Sequence, residues 1–299
     1  MRLLLTGASG QVGWELRRSL TPLGEVTAFD RSQCDLSRPE RLPDIVRDAQ
    51  PDVIVNAAAY TAVDKAEQEE PLATVVNGAA VGVLAEEARK AGCLLVHYST
   101  DYLFDGEKDE PYTEGDAPHP INAYGRSKLA GEAALRQADG AHIILRTSWV
   151  YAGRGHNFVH TVLHLASERD ELRIVDDQIG APTWARDIAE ATARIVRAAQ
   201  DERIRKTFVP GPLNLTAAGA TSWCGFADAI LDEAMRAGLL ARKPRLTPIA
   251  SNDYPTPAAR PKNSRLAGDR LKARYGIALP DWRPSLARCI AEMQASSTR

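Results

Sequence analysis

The sequence predicts an α/β fold, a doubly wound parallel sheet followed by a smaller C-terminal α/β domain. Three observations carry this. Short apolar runs alternate with amphipathic stretches through the first half of the chain. The apolar runs are continuous rather than alternating, as in strands buried on both faces. Gly7, Gly10 and Gly13 stand in TGASGQVG directly behind the first run, where a strand turns into a helix. Such a junction marks the Rossmann-type version of the fold.

The elements follow in order. RLLLT (2–6) reads as a buried strand and QVGWELRRSL (11–20) as a helix. EVTAFD (25–30) is a second strand, 39–50 a helix and DVIVNAA (52–58) a third strand. A long helix is expected over 73–92, then a fourth strand, LLVHYST (94–100). Residues 122–138 read as a helix and HIILRTSWV (142–150) as a fifth strand. Beyond Val150 proline density rises, in GAPTWARD, VPGPLNL and YPTPAARPKNS. Helices are expected near 222–237 and 284–294, and segments within 173–215 are expected to return to the sheet. The expected division is a dinucleotide-binding domain of 1–148 plus about 173–218, and a substrate-binding domain of about 149–172 plus 219–299.

Composition narrows the function. A net charge of −2 offers no electrostatic case for nucleic acid or an anionic membrane. No apolar run approaches a bilayer span, and MRLLLTGASG does not read as a signal peptide. Cys34, Cys93, Cys224 and Cys289 form no CxxC and read as free thiols in a reducing cytoplasm.

The glycines point to a pyrophosphate. Gly7 permits the tight turn, Gly10 the close approach of backbone, and Gly13 the packing of helix on sheet. The helix that follows offers free N–H groups and the positive end of its dipole. Asp30 ends the second strand, where an acid can take ribose hydroxyls, while Arg31 beside it can meet a 2′-phosphate. The cofactor therefore reads as NADPH or NADH, with the choice open. Asp35 and Leu36 are placed to hold an adenine, although Asp35 serves equally as a cap or turn residue.

The chemistry reads from YGRSK and STD. Tyr124 and Lys128 share one helix face. Ser99 and Thr100 end a strand, on the side where ligands of such sheets lie. Reducing a ketone needs hydride to carbon and a proton to oxygen. Tyr124 is the expected general acid, Lys128 the cation that lowers its pKa and holds the ribose, and Thr100 the donor to the carbonyl oxygen. HNFVHTVLH spaces His156, His160 and His164 at helical intervals and reads as a solvated face, not a metal site. No metal ligands are expected.

The glycine loop, NAA, STD and YxxxK together resemble the extended short-chain dehydrogenase/reductase family. Further runs are similar to its branch acting on dTDP-4-keto sugars: PDVIVNAAAYTAVDKAE, VHYSTDYLFDG, NAYGRSKLAGE, RTSWVYA, DQIGAPT and YPTPAARPKNSRL. The resemblance implies reduction of the 4-keto group of dTDP-4-dehydro-β-L-rhamnose to dTDP-L-rhamnose, for surface polysaccharide. It implies that Gly10, Gln11, Val12, Asp30, Asp35, Leu36, Ala59, Tyr60, Thr61, Tyr98, Tyr124 and Lys128 touch the dinucleotide. Thr100, Asp101 and Trp149 would touch the dTDP-sugar. An indole at Trp149 can stack on a sugar face, or equally pack a domain interface. Arg260 can grip a diphosphate, or form a structural salt bridge. Some relatives are homodimers bridged by a divalent cation such as Mg. Glu15 and Glu292 match two of the ligand positions, and Arg186 at the third argues against the metal here.

Two other readings stand beside this one. Another nucleotide-sugar reductase or epimerase shares the fold, but the dehydratases follow their threonine with Asp-Glu, where this chain has Asp101 and Tyr102. A non-catalytic, dinucleotide-binding regulatory subunit also resembles the branch.

Overall fold

The computed structural model describes residues 1–297. The chain opens with strand β1 (Arg2–Thr6), helix α1 (Gln11–Ser19) and β2 (Glu25–Phe29). Helix α2 (Leu42–Ala49) and β3 (Val53–Asn56) follow. Helices α3 (Val63–Ala66) and α4 (Glu70–Thr74) come next, and α4 continues through a π-helical turn (Val75–Ala79) into α5 (Ala80–Ala91), so the long helix expected over 73–92 forms with one irregular turn. Then come β4 (Leu94–Thr100), α6 (Ala123–Ala138) and β5 (His142–Thr147). β5 stops short of the expected 150 because Trp149 adopts φ 46°, a left-handed conformation that no strand accommodates. The short β6 (Val150–Tyr151) resumes beyond it.

The second half comprises α7 (Phe158–Glu168), β7 (Glu171–Val175), β8 (Ile179–Gly180), β9 (Thr183–Trp184), α8 (Ala185–Ile204) and β10 (Gly211–Asn214). It ends with β11 (Thr221–Ser222), α9 (Trp223–Arg236), β12 (Arg245–Ile249), α10 (Asp269–Tyr275) and α11 (Trp282–Ser297).

Six strands form one sheet in the order β10-β5-β4-β3-β1-β2, with every neighbouring pair parallel. β1 lies between β2 and β3, so the chain reverses its direction of travel across the sheet after β2. That reversal opens a crevice beyond the carboxyl ends of β1 and β3. Alternate residues of β1 feed two cores. Leu3 and Leu5 pack in the cluster under α1 and α8, and Leu4 packs with Leu42, Leu84 and Leu135 on the other face.

A separate apolar cluster joins Tyr151, Val159, Trp184, Phe226, Ile230, Trp282 and Leu286 from α7, α9, α11 and the short strands. Within 173–218, α8 and β10 join the large sheet, whereas β7 pairs with β12 and β8 with β11 in the smaller body. Conversely Leu271 of α10 packs into the sheet core. Helix α8 lies within the proline-rich second half, where no helix is expected over 185–204. Its apolar spacing, Ile188, Ala191, Ile195 and Ala199, is nevertheless helical, and all four are buried.

His156 lies outside α7, so the three histidines do not form one helical stripe. His164 is exposed beside Glu168 at 3.6 Å, and His160 is half-buried with no hydrogen bond at Nε2. All four cysteines are free. Among the described residues no helix is long and apolar enough to cross a membrane.

Candidate active site

The glycine loop is built around contacts that admit no side chain. Gly7 has φ 72°, and a Cβ there would lie 2.5 Å from the Ala58 nitrogen. A Cβ on Gly13 would lie 2.0 Å from the Gly7 carbonyl oxygen. The chain therefore turns tightly from β1 into α1 against the end of β3. Gly10 caps α1 without a side-chain hydrogen bond, and its first turn holds no acid. Its leading N–H groups are thus left for a ligand anion. Gln11 accepts a hydrogen bond from Asn157 at 3.0 Å, which ties the small body to this loop. Val12 packs beside the sheet core.

Asp30 and Asp35 each fold back on a serine. The Asp30 carboxylate accepts from Ser32 N–H at 2.8 Å and its hydroxyl at 2.6 Å. Asp35 accepts from Ser37 N–H at 3.0 Å and its hydroxyl at 2.8 Å. Arg31, 79% exposed, lies 3.6 Å from Asp35. Leu36 is buried in the sheet core, so its side chain is not offered to the crevice.

Ala59, Tyr60 and Thr61 follow β3. Tyr60 is fixed at both backbone groups by Asn77, at 2.9 and 3.0 Å, and its hydroxyl donates to Glu69 at 2.8 Å. Asn77 also donates to Ser127 at 2.9 Å, which joins this loop to α6. It sits in the π-helical turn, an irregularity that often marks function, yet nothing in its sequence context singles it out.

The catalytic candidates meet at the ends of β4 and β5 and the start of α6. Asn122 caps α6 by accepting from Gly125 N–H at 2.8 Å, which sets Tyr124 and Lys128 on the inward face. The rings of Tyr124 and Tyr102 meet edge to face at 5.7 Å. Burial raises the Tyr124 pKa, the nearby Thr100 hydroxyl opposes this, and Asp101 adds to it. This differs from the expectation that Lys128 lowers that pKa. Lys128 instead donates to the Tyr98 carbonyl at 2.5 Å and lies 3.3 Å from His97 Nε2. Its own pKa falls to about 8, through burial opposed by Glu132. The Tyr98 side chain points away, its hydroxyl paired with Thr192 at 2.7 Å.

Thr100 donates to Asp101 Oδ1 at 3.0 Å and accepts from Tyr102 N–H at 3.2 Å. Asp101 is buried, which lifts its carboxyl to about 6 against the opposing hydroxyls of Ser264 and Thr100, and its Oδ2 makes no well-formed hydrogen bond. Ser99 Oγ is buried beside Glu132, whose pKa its hydroxyl helps lower, without a well-formed hydrogen bond to it. Behind this group Arg146 of β5 grips Glu132 of α6 through two bonds, at 2.9 and 2.7 Å.

Trp149 stacks on Trp223 with ring centres 3.6 Å apart and planes 7° apart. A Cβ at Gly180 would lie 2.4 Å from the Trp149 ring, so only glycine fits there. One indole face is therefore taken by Trp223, a neighbour 74 positions away that no local pattern announces. Arg260 is half-buried and pairs with both oxygens of Asp64, each at 2.7 Å. It also influences Tyr102 electrostatically, which puts it beside the catalytic group. Arg186 bridges Glu15, at 3.0 Å, and Glu292. Arg18 lies 3.8 Å from Glu15 and 3.5 Å from Glu190. Among the described residues no group of three or more His, Cys, Asp or Glu is placed to hold a metal. A groove lined by Arg2, Pro51 and Asp52 lies at the amino ends of β1 and β3, away from this constellation. The site is located by strand ends and chemistry, not by concavity.

Residues 1–295 match the model of the RmlD substrate binding domain. A dTDP-4-dehydrorhamnose reductase of Burkholderia thailandensis is 53% identical over 98% of this chain and 99% of its own.

The chain belongs to the dTDP-4-dehydrorhamnose reductase family.

A family member from Escherichia coli is 46% identical, over 98% of each chain. The crystal structure of the Bacillus anthracis reductase in complex with NADP superposes with a TM-score of 0.89 at 34% identity, covering 97% of this chain and 99% of that one. Membership makes this chain an oxidoreductase with the doubly wound fold of the family.

Proposed function

We propose that this enzyme reduces the 4-keto group of dTDP-4-dehydro-β-L-rhamnose to the alcohol of dTDP-L-rhamnose, with Tyr124 as proton donor. The observation that carries the reading is the buried phenol of Tyr124, with the Thr100 hydroxyl beside it and Lys128 one helical turn on. NADPH or NADH, when bound, supplies the hydride that goes to C4. Gly7, whose tight turn packs on the Ala58 backbone, and the start of α1 behind Gly10, which has no side-chain cap and no acid in its first turn, fit its diphosphate. We assign Lys128 and the segment Ala59, Tyr60, Thr61 to its nicotinamide half.

The proton for O4 comes from Tyr124. In the free site Thr100 spends its hydroxyl proton on Asp101, so it turns that proton to the carbonyl oxygen when the ketone arrives. Asp101, with its unpartnered Oδ2, accepts from a sugar hydroxyl. Arg260, on the stiff proline-bounded loop, makes four bonds, two to Asp64 and two within its own loop, so it reaches the nucleotide diphosphate by sharing its charge with Asp64. Trp149, held between Trp223 on one face and Gly180 on the other, offers its ring edge and indole N–H to the sugar.

The test is loss of reduced-nicotinamide absorbance with NADPH and then NADH, with the keto-sugar nucleotide generated in situ and the product identified by chromatography. Oxidation matched by dTDP-L-rhamnose is expected. Tight dinucleotide binding with no turnover would favour the regulatory-subunit reading instead. Arg31→Ala should weaken NADPH about 10-fold, the worth of one charge-assisted bond. NADH, which lacks the 2′-phosphate, should bind unchanged. Equal changes for both dinucleotides, measured by titration, would remove Arg31 from 2′-phosphate recognition.

A further inference from the structure

A row of buried polar side chains crosses the sheet beneath the proposed site. Thr6, Asn56 and His97 lie side by side in register on β1, β3 and β4. All three are at most 1% exposed. The row ends on Lys128 and answers to nothing in the mechanism above.

Its hydrogen bonds have a fixed direction. The Ala58 N–H can only donate, and it donates to Asn56 Oδ1 at 3.2 Å. The Thr6 hydroxyl donates to the same oxygen at 2.7 Å. The other end of the amide, Nδ2, is therefore the end that faces His97 Nδ1, at 3.1 Å. An amide NH2 only donates, so Nδ1 must accept and the ring proton must sit on Nε2. That N–H faces Lys128 Nζ at 3.3 Å. An ammonium there would set donor against donor. A neutral amine turns its lone pair to His97 and still donates to the Tyr98 carbonyl.

We propose that His97, locked by Asn56 as the neutral Nε2-protonated imidazole, is a positioning residue that disfavours the charged form of Lys128 and so sets its protonation. This rests on the Tyr124 and Lys128 reading above. The other groups around Lys128 do not substitute for it. Glu132, one turn on, favours the ammonium but is engaged by Arg146 and Arg136. Tyr124, one turn back, stays a neutral phenol with its pKa raised by burial. Asn77 and Ser127 are uncharged, and Asp101 faces Tyr124 from the end of β4. Burial acts in the same sense as His97. It lowers both the imidazole, with Lys128 adding to that, and the lysine itself. Burial, opposed by Glu132, already brings the lysine to about 8, so that it carries charge below that pH and loses it above, and the His97 N–H facing it acts in the same direction.

Two measurements test this. Long-range proton–nitrogen NMR of the histidine rings, with His97 assigned by its loss in His97→Gln, should show a neutral ring protonated at Nε2 throughout the range where free histidine titrates. A ring protonated at Nδ1, or doubly protonated, overturns the proposal, and the tautomer itself is read on the unaltered protein. Carbon-13 NMR of labelled lysines, with Lys128 assigned through Lys128→Met, should show the Lys128 titration rise by about one pH unit in His97→Gln, whose amide can turn its carbonyl to the ammonium. The alkaline limb of kcat/KM should rise with it. An unmoved Lys128 titration in folded His97→Gln also overturns it. The two readings separate cleanly: full turnover in Tyr124→Phe would sink the catalytic assignment while leaving both titrations as described.

Discussion

Replacing Tyr124 by phenylalanine is expected to lower turnover by about 10²- to 10⁴-fold, the worth of a positioned proton donor. Dinucleotide affinity should be kept. The ring packs edge to face on Tyr102 and is buried, and both survive the loss of one oxygen. The hydroxyl's polar neighbour is Thr100, and α6 is held independently of it by the Asn122 cap, by the Asn77–Ser127 bond and by Glu132. Steady-state rates beside fluorescence titration of the dinucleotide check this. A variant with near-normal rate would hand the proton to another group. Asp101, whose buried carboxyl titrates near 6, would be the next candidate.

The second large effect is on stability. Glu132→Gln should destabilise the fold by about 3–5 kcal/mol, because it leaves Arg146 as an uncompensated charge in the sheet interior. Both partners are at most 2% exposed, and Arg146 Nη1 already lacks a partner. Denaturant melts should show the midpoint falling with little change in slope. The double variant Glu132→Leu with Arg146→Met should recover most of the loss, since apolar packing can replace a buried pair. If it melts as low as the single variant, the cause is the shape of the site and not the stranded charge. The pair also carries a pH signature. Burial pushes the Glu132 pKa up, but Arg146, with Ser99 and Arg136 beside it, outweighs this and holds it below the usual 4.5. Its contribution is therefore complete above the unfolded glutamate value and is lost as pH falls through the folded one.

The buried pair and the polar row share a feature that bears on legibility. Asn56, His97 and Arg146 each interrupt an otherwise apolar strand, in VIVN, LLVHYST and HIILRT. A polar residue in a strand buried on both faces must have a partner. That much is readable from sequence. Which partner it has is not, because the answer depends on strand order and register. β3 lies beside β4 only because the chain doubles back across β1, and only then does Asn56 stand level with His97.

By itself the sequence determined the doubly wound class, the five N-terminal strands, the glycine turn and the Tyr124–Lys128 face. Each rests on local causes: continuous apolar runs, a backbone position that admits no Cβ, and a spacing of four on a helix. The α8 helix was equally legible from its period. The tertiary structure alone decided the rest. It turned Lys128 toward the Tyr98 carbonyl and His97 and not onto Tyr124, seated Trp223 on Trp149, and set Arg260 on Asp64 and Arg186 between Glu15 and Glu292. These are contacts between residues far apart in the chain, made by long or aromatic side chains with several rotamers. Only the packed neighbours choose among those rotamers, and local sequence carries no record of the choice.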